Sequence, residues 1–295
     1  MSPQLPHLRR EKTPSLLNSI EAPAFKHIRG VCLDIDDTLS TDGKLEAEPY
    51  AALWRLKQAG LAVVPITGRP AGWCDHFARF WPIDAIVGEN GAFTFYMGRE
   101  PSSTLHSKSS QHPVRKRLLT PSGSDEKTLK DQLTHLALLI KKQFPHSKWA
   151  SDQSYREFDL AIDICEDVPT WDQKQIQELL ELCHQQGANA KLSSIHVNTW
   201  FGQYDKKKGF ENWLLQGAPG CSIHPVPQLH EWLYIGDSPN DEPMFEWFPY
   251  SVGVANIQKY LDQLKHPPRW ITQGKSGTGF VQMTDLLLES KAKHP

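Results

Sequence analysis

The sequence contains no long apolar run. Nothing in it approaches the roughly 18 consecutive apolar residues of a bilayer-spanning helix, so no helical membrane protein is expected. The opening stretch, MSPQLPHLRREKTPSLLNSIEAPAFKHIRG, has no apolar centre, and no signal peptide is read there. An excess of one charge is missing as well: 32 Lys+Arg stand against 34 Asp+Glu, a net charge of −2. That balance lacks the basic footprint of a nucleic-acid binder and the charge excess of a disordered chain. Cysteine is sparse, and Cys32, Cys74, Cys165, Cys183 and Cys221 form no CxxC pair. No Cys/His set has zinc spacing, and the 13 histidines form no HExxH. An odd, scattered set of thiols fits a reducing cytoplasm. What is present is 295 residues that are 39% hydrophobic, enough for one large domain or two ordinary ones.

Short apolar runs alternate with helical periodicity. Val31-Cys-Leu33 reads as a buried strand, and residues 49–59 as a helix closed by Gly60. The run 61–66 is a second strand, with Pro65 oddly placed because proline cannot donate to a ladder. A helix around Trp73, Phe77 and Phe80 leads to the strand Ala85–Val87. The alternation resumes with a helix at 209–215, strands at 232–235, 252–255 and 270–272, and a last helix near 281–288. Strands alternating with helices argue for a parallel α/β sheet.

Between about 95 and 200 the texture changes. Residues 101–124 are Ser/Pro-rich around a basic Arg115-Lys116-Arg117 and read as a mobile connection with a solvated face. A helix is expected from Ser124, as N-cap, to Phe144, with Leu133, Leu136 and Ile140 inward. The run 158–164 alternates with period two, 171–186 is helical, and 191–200 reads as one strand. Two helices on a small sheet suggest an inserted domain. Most of the 10 tryptophans read as core or helix-face residues, Trp54 and Trp213 among them.

The strongest chemical signal is Asp34-Ile-Asp36-Asp37-Thr38-Leu39, directly after an apolar strand. Carboxylates at the carboxyl ends of strands in an open α/β sheet converge where such sheets bind ligands. Crowded like charges call for a cation, and Mg²⁺ favours hard oxygen donors. The bland reading is an acidic helix cap. Thr67-Gly68-Arg69-Pro70 follows the second strand, offering a hydroxyl and backbone amides to an anion. Asp205-Lys206 opens a helix, and Gly236-Asp237-Ser238-Pro239-Asn240-Asp241 follows a core strand with two more carboxylates.

Taken in order, DIDDTL at 34–39, ITGRP at 66–70, VGENGAF at 87–93, the 205–206 DK pair and GDSPNDEPMF at 236–245 resemble the haloacid dehalogenase (HAD) superfamily, in particular its Cof-like type IIB phosphatases. The resemblance implies a Rossmann-like α/β core with a parallel sheet and an inserted α+β cap domain of the C2 type. The core is expected over 28–94 and 201–290, the cap over 95–200, and a polar lead over 1–27. Asp34 would be the nucleophile that forms an aspartyl-phosphate. Asp36 would be the general acid and base, and Thr67, Gly68 and Lys206 would hold the phosphoryl oxygens. Mg²⁺ would take Asp34, the Asp36 carbonyl and Asp237, with Asp241 either a direct ligand or a support behind the ligands. Lys206 is favoured over Lys208 because Phe210, Trp213 and Leu214 then share a face, although Lys208-Gly209 resembles the KG pair of many relatives.

Asn90 and Asn240 are candidate substrate contacts, whereas Asn-Gly at 90–91 is equally a turn. Arg69 reads as a loop anchor. In the cap, Arg156, His196 and Asn198 lead a set of polar candidates that also holds Tyr155, Glu157, Asp159 and Ser194; the other reading is a merely wet sheet face. The resemblance therefore implies a cytoplasmic Mg²⁺-dependent phosphatase acting on a small phosphorylated metabolite, with no nucleic-acid or membrane partner and an open oligomeric state. The GDSPNDEPMF segment resembles sucrose-phosphate and trehalose-phosphate phosphatases and mannosyl-glycerate relatives about equally. A sugar phosphomutase and a non-catalytic sugar-phosphate-binding protein compete with that reading. A receiver-like phosphoacceptor is disfavoured, since it has no place for so long an insertion.

Overall fold

The computed structural model describes residues 13–18, 25–98 and 113–292. In chain order it begins with β1 (Ser15–Leu16), β2 (Gly30–Leu33), α1 (Ala47–Gln58), β3 (Ala62–Pro65), α2 (Ala71–Phe80), β4 (Ala85–Gly88), β5 (Phe93–Gly98) and β6 (Val114–Leu119). Next come α3 (Glu126–Gln143), β7 (Lys148–Trp149), β8 (Leu160–Asp163), α4 (Gln173–Gln185), β9 (Asn189–Leu192), β10 (His196–Trp200) and α5 (Lys206–Leu215). The chain closes with β11 (Trp232–Gly236), α6 (Glu242–Trp247), β12 (Tyr250–Gly253), β13 (Trp270–Ile271) and α7 (Ser276–Ala292). Two compact units result, one from residues 1–63 with 223–295 and the other from 64–222.

The first unit is built on a sheet of order β1-β13-β12-β11-β2-β3. The pairs β1–β13, β13–β12, β12–β11 and β11–β2 are all parallel. Its central strands, GVCL and WLYIG, are buried at every position, as expected where both faces of a parallel sheet are covered. Each such Val, Leu or Ile contributes about 1.5–3 kcal/mol. Gly30 is needed where it stands, because a Cβ there would lie 2.3 Å from the Trp232 ring opposite. β3 is the last strand in the order, so Pro65 removes a donor that an edge can spare. Helices α1 and α7 pack together, with Arg55 and Asp285 bridging them at 2.5 Å. The expected polar lead contributes an edge strand here: β1 pairs with β13, and Leu17 and Phe25 are fully buried. Two residues carry no periodicity, which is why the strand escaped a pattern-based reading.

The second unit holds two antiparallel sheets. One has the order β7-β8-β10-β9. Leu129, Leu133, Leu136 and Ile140 of α3, with Ile176, Leu179, Leu182 and Cys183 of α4, form one apolar core with Ile162 of β8 and Val197 of β10. Period two then turns Ala161, Asp163, His196 and Asn198 to the opposite face. Asp172 and Gln175 form a capping box that starts α4, worth about 1 kcal/mol. α3 starts one residue later than expected, because the Asp125 carboxylate, and not Ser124, accepts the Thr128 N–H at 2.9 Å. The single strand expected over 191–200 is two, β9 and β10, paired in a hairpin. The Ser193 hydroxyl accepts the N–H groups of His196 at 3.0 Å and Ile195 at 3.4 Å and makes the turn.

The other sheet, β4-β5-β6, corrects the reading of 101–124 as a mobile connection. Residues 99–112 lie outside the described ones, but Val114–Leu119 is a regular strand paired with β5. Its basic patch is no solvated run. Arg115 stacks on Phe95 at 4.2 Å and bonds Asp75 at 2.6 Å, while Arg117 stacks on Phe158 at 4.9 Å and bonds Glu157 at 2.9 Å. The strand 85–87, expected in the parallel sheet, pairs antiparallel with β5 and touches Ile66 through one isolated parallel bridge. Because α2 and α5 pack on this sheet, residues 64–94 and 201–222 group with the segment expected to be the cap, rather than with 28–63. Trp213 is fully buried as expected, whereas Trp54 is 47% exposed. Among the described residues no disulfide forms and no helix is long and apolar enough to cross a membrane.

Candidate active site

Two strand ends of the first unit bring the carboxylates together. The Asp34 N–H continues the β2–β11 ladder, donating to Ile235 O at 2.9 Å. The chain then turns sharply. Ile35 O accepts from the N–H groups of Leu39 and Ser40, both at 2.9 Å, and Asp37 takes a left-handed φ of 52°, a conformation Asp tolerates better than most residues. At the end of β11, the Asp241 side chain folds back over its own strand. Oδ2 accepts the N–H of Asp237 at 2.9 Å and of Ser238 at 3.2 Å, and Oδ1 accepts the Tyr234 hydroxyl at 2.5 Å. A Cβ on Gly236 would stand 2.4 Å from Asp241 Oδ2, so only glycine fits. Burial, then the charges of Asp241 and Asp34, push the Tyr234 hydroxyl well above its ordinary pKa, which keeps it a donor.

Asp34, Asp237 and Asp241 each offer a carboxylate oxygen, and these oxygens lie within 4.8 Å of one another in a buried setting. Three hard oxygen donors that close fit a divalent cation such as Mg²⁺. The half-buried Asp36 carboxyl does not join this set; the resemblance assigned it only a carbonyl ligand. Two neighbours escaped the sequence reading. The Thr38 hydroxyl donates to Asp237 Oδ1 at 3.5 Å. Asn256 donates to Asp237 Oδ2 at 3.1 Å and to Asp37 O at 2.9 Å, and its own oxygen accepts the Ser276 N–H at 3.0 Å. It ties the loops after β2 and β11 to the start of α7. Its signal, a polar residue just beyond the strand Tyr250–Gly253, was there to be seen. Asn240 is buried, with its side-chain oxygen taken by the Ser238 hydroxyl at 2.8 Å.

The other candidates lie in the second unit. Thr67 is fully buried; its hydroxyl oxygen accepts the Arg69 N–H at 3.0 Å and its carbonyl accepts the Asn90 N–H at 3.0 Å. Gly68 sits against the Asn90 amide, whose oxygen would lie 3.2 Å from an added Cβ. Lys206 begins α5 and is 2% exposed, whereas Lys208 is exposed and donates to Gln203 O at 3.0 Å. The glycine of the Lys208-Gly209 pair has a packing role: a Cβ there would meet Gly91 Cα at 2.7 Å. Gly91, at φ 110°, in turn sits so close to α5 that a Cβ would lie 2.0 Å from Asp205 O.

Arg156, Asn198 and His196 are brought together in one buried network. Arg156 bonds Asp152 at 3.0 Å, Asp159 at 3.0 Å and the Gly68 carbonyl at 2.8 Å. Asn198 and Asn90 both donate to Asp159 Oδ2, at 3.1 and 3.4 Å. His196 Nε2 lies 2.9 Å from Glu166, which also accepts from Arg69 at 3.1 Å; Arg69 reaches Asp152 at 3.3 Å and stacks over Trp73 at 4.4 Å. Burial disfavours the Arg156 charge, but Asp159 and Asp152 outweigh it and raise its pKa. The His196 hydrogen bond, and then the Arg69 charge, hold Glu166 at about 2 against the opposing effect of burial.

The fold and the gathered carboxylates define an α/β protein with a buried, cation-ready centre at the carboxyl ends of its strands. Residues 31–116 match the haloacid dehalogenase-like hydrolase family. Phosphoglycolate phosphatase 1 of Saccharolobus solfataricus is 25% identical over 268 residues, covering 90% of this chain and 97% of that protein. The C-terminal domain of trehalose-6-phosphate phosphatase from C. albicans shares the fold at a TM-score of 0.65 and 13% identity, over 94% of this chain and 98% of that one. Sucrose-phosphatase from Synechocystis sp. PCC6803, solved with sucrose and phosphate, does so at 0.58 and 15%, over 89% and 98%. The family match spans residues 31–116, and the two solved structures share the fold over 89–94% of this chain.

Proposed function

We propose that this phosphoric monoester hydrolase cleaves a sugar phosphate, or a phosphomonoester of similar size, with Mg²⁺ through an aspartyl-phosphate on Asp34. The observation that carries the reading is the buried Asp34, Asp237 and Asp241 set with its oxygens within 4.8 Å of one another. Asp34, Asp237, Asp241 and the Asp36 carbonyl would hold the Mg²⁺, which when bound offsets the charge of the phosphoryl oxygens. An Asp34 carboxylate oxygen attacks phosphorus, and the ester P–O bond breaks. Asp36 gives its proton to the departing alkoxide oxygen. A water then attacks the aspartyl-phosphate; Asp36 takes the water's proton, inorganic phosphate leaves and Asp34 is restored. Thr67, the Gly68 amide and Lys206 hold the phosphoryl oxygens through both steps, and positioning supplies much of the acceleration.

Arg156, His196 and Asn198 are proposed to present the polar wall that reads the rest of the substrate, with Asn90 and Asn240 bordering the phosphoryl group. The names of the relatives support a small phosphorylated substrate and set the first panel: sugar phosphates together with phosphoglycolate. The decisive variant is Asp34→Asn, which keeps the shape and removes the nucleophile. It should cut Mg²⁺-dependent p-nitrophenyl phosphate hydrolysis at least about a thousandfold. Survival of that activity would overturn the reading.

A further inference from the structure

One buried acid in the second unit has no part in the steps above. Glu89 is fully buried, in the turn after β4. Its carboxylate gathers three backbone N–H groups from two distant segments. Oε1 accepts from Ala71 at 2.9 Å and Glu157 at 3.0 Å; Oε2 accepts from Glu157 at 3.1 Å and Phe158 at 2.5 Å. Ala71 is the first residue of α2, directly behind Thr67-Gly68-Arg69-Pro70. Glu157 and Phe158 directly follow Arg156, which grips the Gly68 carbonyl. The backbone closes the same joint: Glu89 N donates to Arg69 O at 3.2 Å, and Asn90 N to Thr67 O at 3.0 Å.

The turn is strained. Glu89 and Asn90 hold left-handed φ values of 43° and 54°, unusual for a side chain as long as Glu. Burial, and then the neighbouring charge of Asp159, push the Glu89 pKa up to about 8, against the pull of the three N–H donors. An apolar replacement takes the acceptor from three N–H groups, one buried and two part-buried, and Gln turns an NH₂ toward at least one of them.

We propose that Glu89 is a positioning residue, whose two carboxyl oxygens fix the Thr67–Pro70 loop to the Arg156–Phe158 segment and so set where the loop presents its hydroxyl and amides. The proposal rests on the reading in which Thr67 and Gly68 hold the phosphoryl oxygens. A misplaced loop loses the transition state more than the ground state, so kcat carries the effect.

The test compares wild type, Glu89→Gln and Glu89→Asp with Mg²⁺ and the best substrate of the panel, each well below its melting temperature. Glu89→Gln should lose about ten- to hundredfold in kcat with KM changed little, and the Mg²⁺ concentration for half-maximal activity should stay unchanged. Glu89→Asp, which keeps both acceptor oxygens on a shorter arm, should fall between Gln and wild type. A folded Glu89→Gln with wild-type kcat overturns the proposal. So does a loss that matches only the fraction unfolded, measured by near-UV circular dichroism. Should Glu89→Gln fail to fold, Glu89→Asp decides: a kcat loss at unchanged KM supports the role, and wild-type kcat overturns it. A wild type without Mg²⁺-dependent activity, or an Asp34→Asn variant that retains it, would sink the phosphatase reading instead; an active wild type matched by Glu89→Gln sinks only the role of Glu89.

Discussion

Each unit buries a knot of carboxylates, and the two knots are built on opposite terms. In the second, Asp152, Asp159 and Glu166 meet the guanidinium groups of Arg69 and Arg156. In the first, Asp237 and Asp241 are held by a threonine hydroxyl, an asparagine amide, a tyrosine hydroxyl and backbone N–H groups. Arginine forks saturate carboxylate lone pairs and lock a shape. Neutral donors orient carboxylates without cancelling their charge, which suits a centre that could hold a cation. The same residue type thus serves as mortar in one place and as a socket in the other.

That contrast can be broken experimentally. The largest effect should come from Asp237→Asn, expected to lower Mg²⁺-dependent turnover by about a hundredfold or more. Mg²⁺ should stabilise the wild type by about 2.7 kcal/mol at a hundred times its Kd, a gain the variant should lose; an undiminished Mg²⁺-induced rise in melting temperature would refute the socket. Arg156→Met probes the mortar. Leaving Asp152 and Asp159 without it should cost about 3–5 kcal/mol in urea unfolding, with Mg²⁺ affinity intact.

A smaller effect is expected from pH. Glu166 has a depressed folded-state pKa of about 2, so its contribution is complete above its ordinary value near 4.5 and is lost as pH falls toward 2. After solvent screening this amounts to on the order of 1 kcal/mol, and Glu166→Gln should flatten that limb of the stability profile. Glu89 has a raised value of about 8, so the sign reverses: stability falls as pH climbs from about 4.5 to 8, and Glu89→Gln should remove that decline. The groups facing it are Asp159, Arg156 and Tyr204, so the slope should persist when Glu166 is replaced. The smallest effect should be that of Asn256→Ala, about 1 kcal/mol in stability with a modest loss of turnover.

The first knot was far more legible in the sequence than the second. Asp34 and Asp237 each follow an uninterrupted apolar strand, so position in the chain already implied convergence at one sheet end. Asn256 belongs to the same geometry but stands alone beyond its strand, without a second polar residue to draw the eye. In the second unit, Arg156, His196 and Asn198 were visible as polar candidates. Asp159 stood among them and Arg69 as a loop anchor, but Asp152 and Glu166, which join these residues into one network, lie in separate segments and gave no signal. Strand β6 was hidden for a related reason. Arg115 and Arg117 look solvated until Phe95, Phe158, Asp75 and Glu157 are in place around them, and side-chain stems that cover aromatic faces leave no mark on an apolar pattern.

The close approach of Gly91 to Asp205 also bears on how this chain tolerates change. Those two points are more than a hundred residues apart in sequence, yet their backbones meet with no room for a methyl group. They pinch off everything between them as a loop tied at its neck. Closure entropy grows only logarithmically with length, about 0.6 kcal/mol per doubling. The entropy of closing the neck therefore changes little if the stretch inside it is shortened or extended while both glycines at the pinch, Gly91 and Gly209, are kept; what such a change costs is set by the contacts the stretch makes outside the neck, such as that of Arg156 with the Gly68 carbonyl.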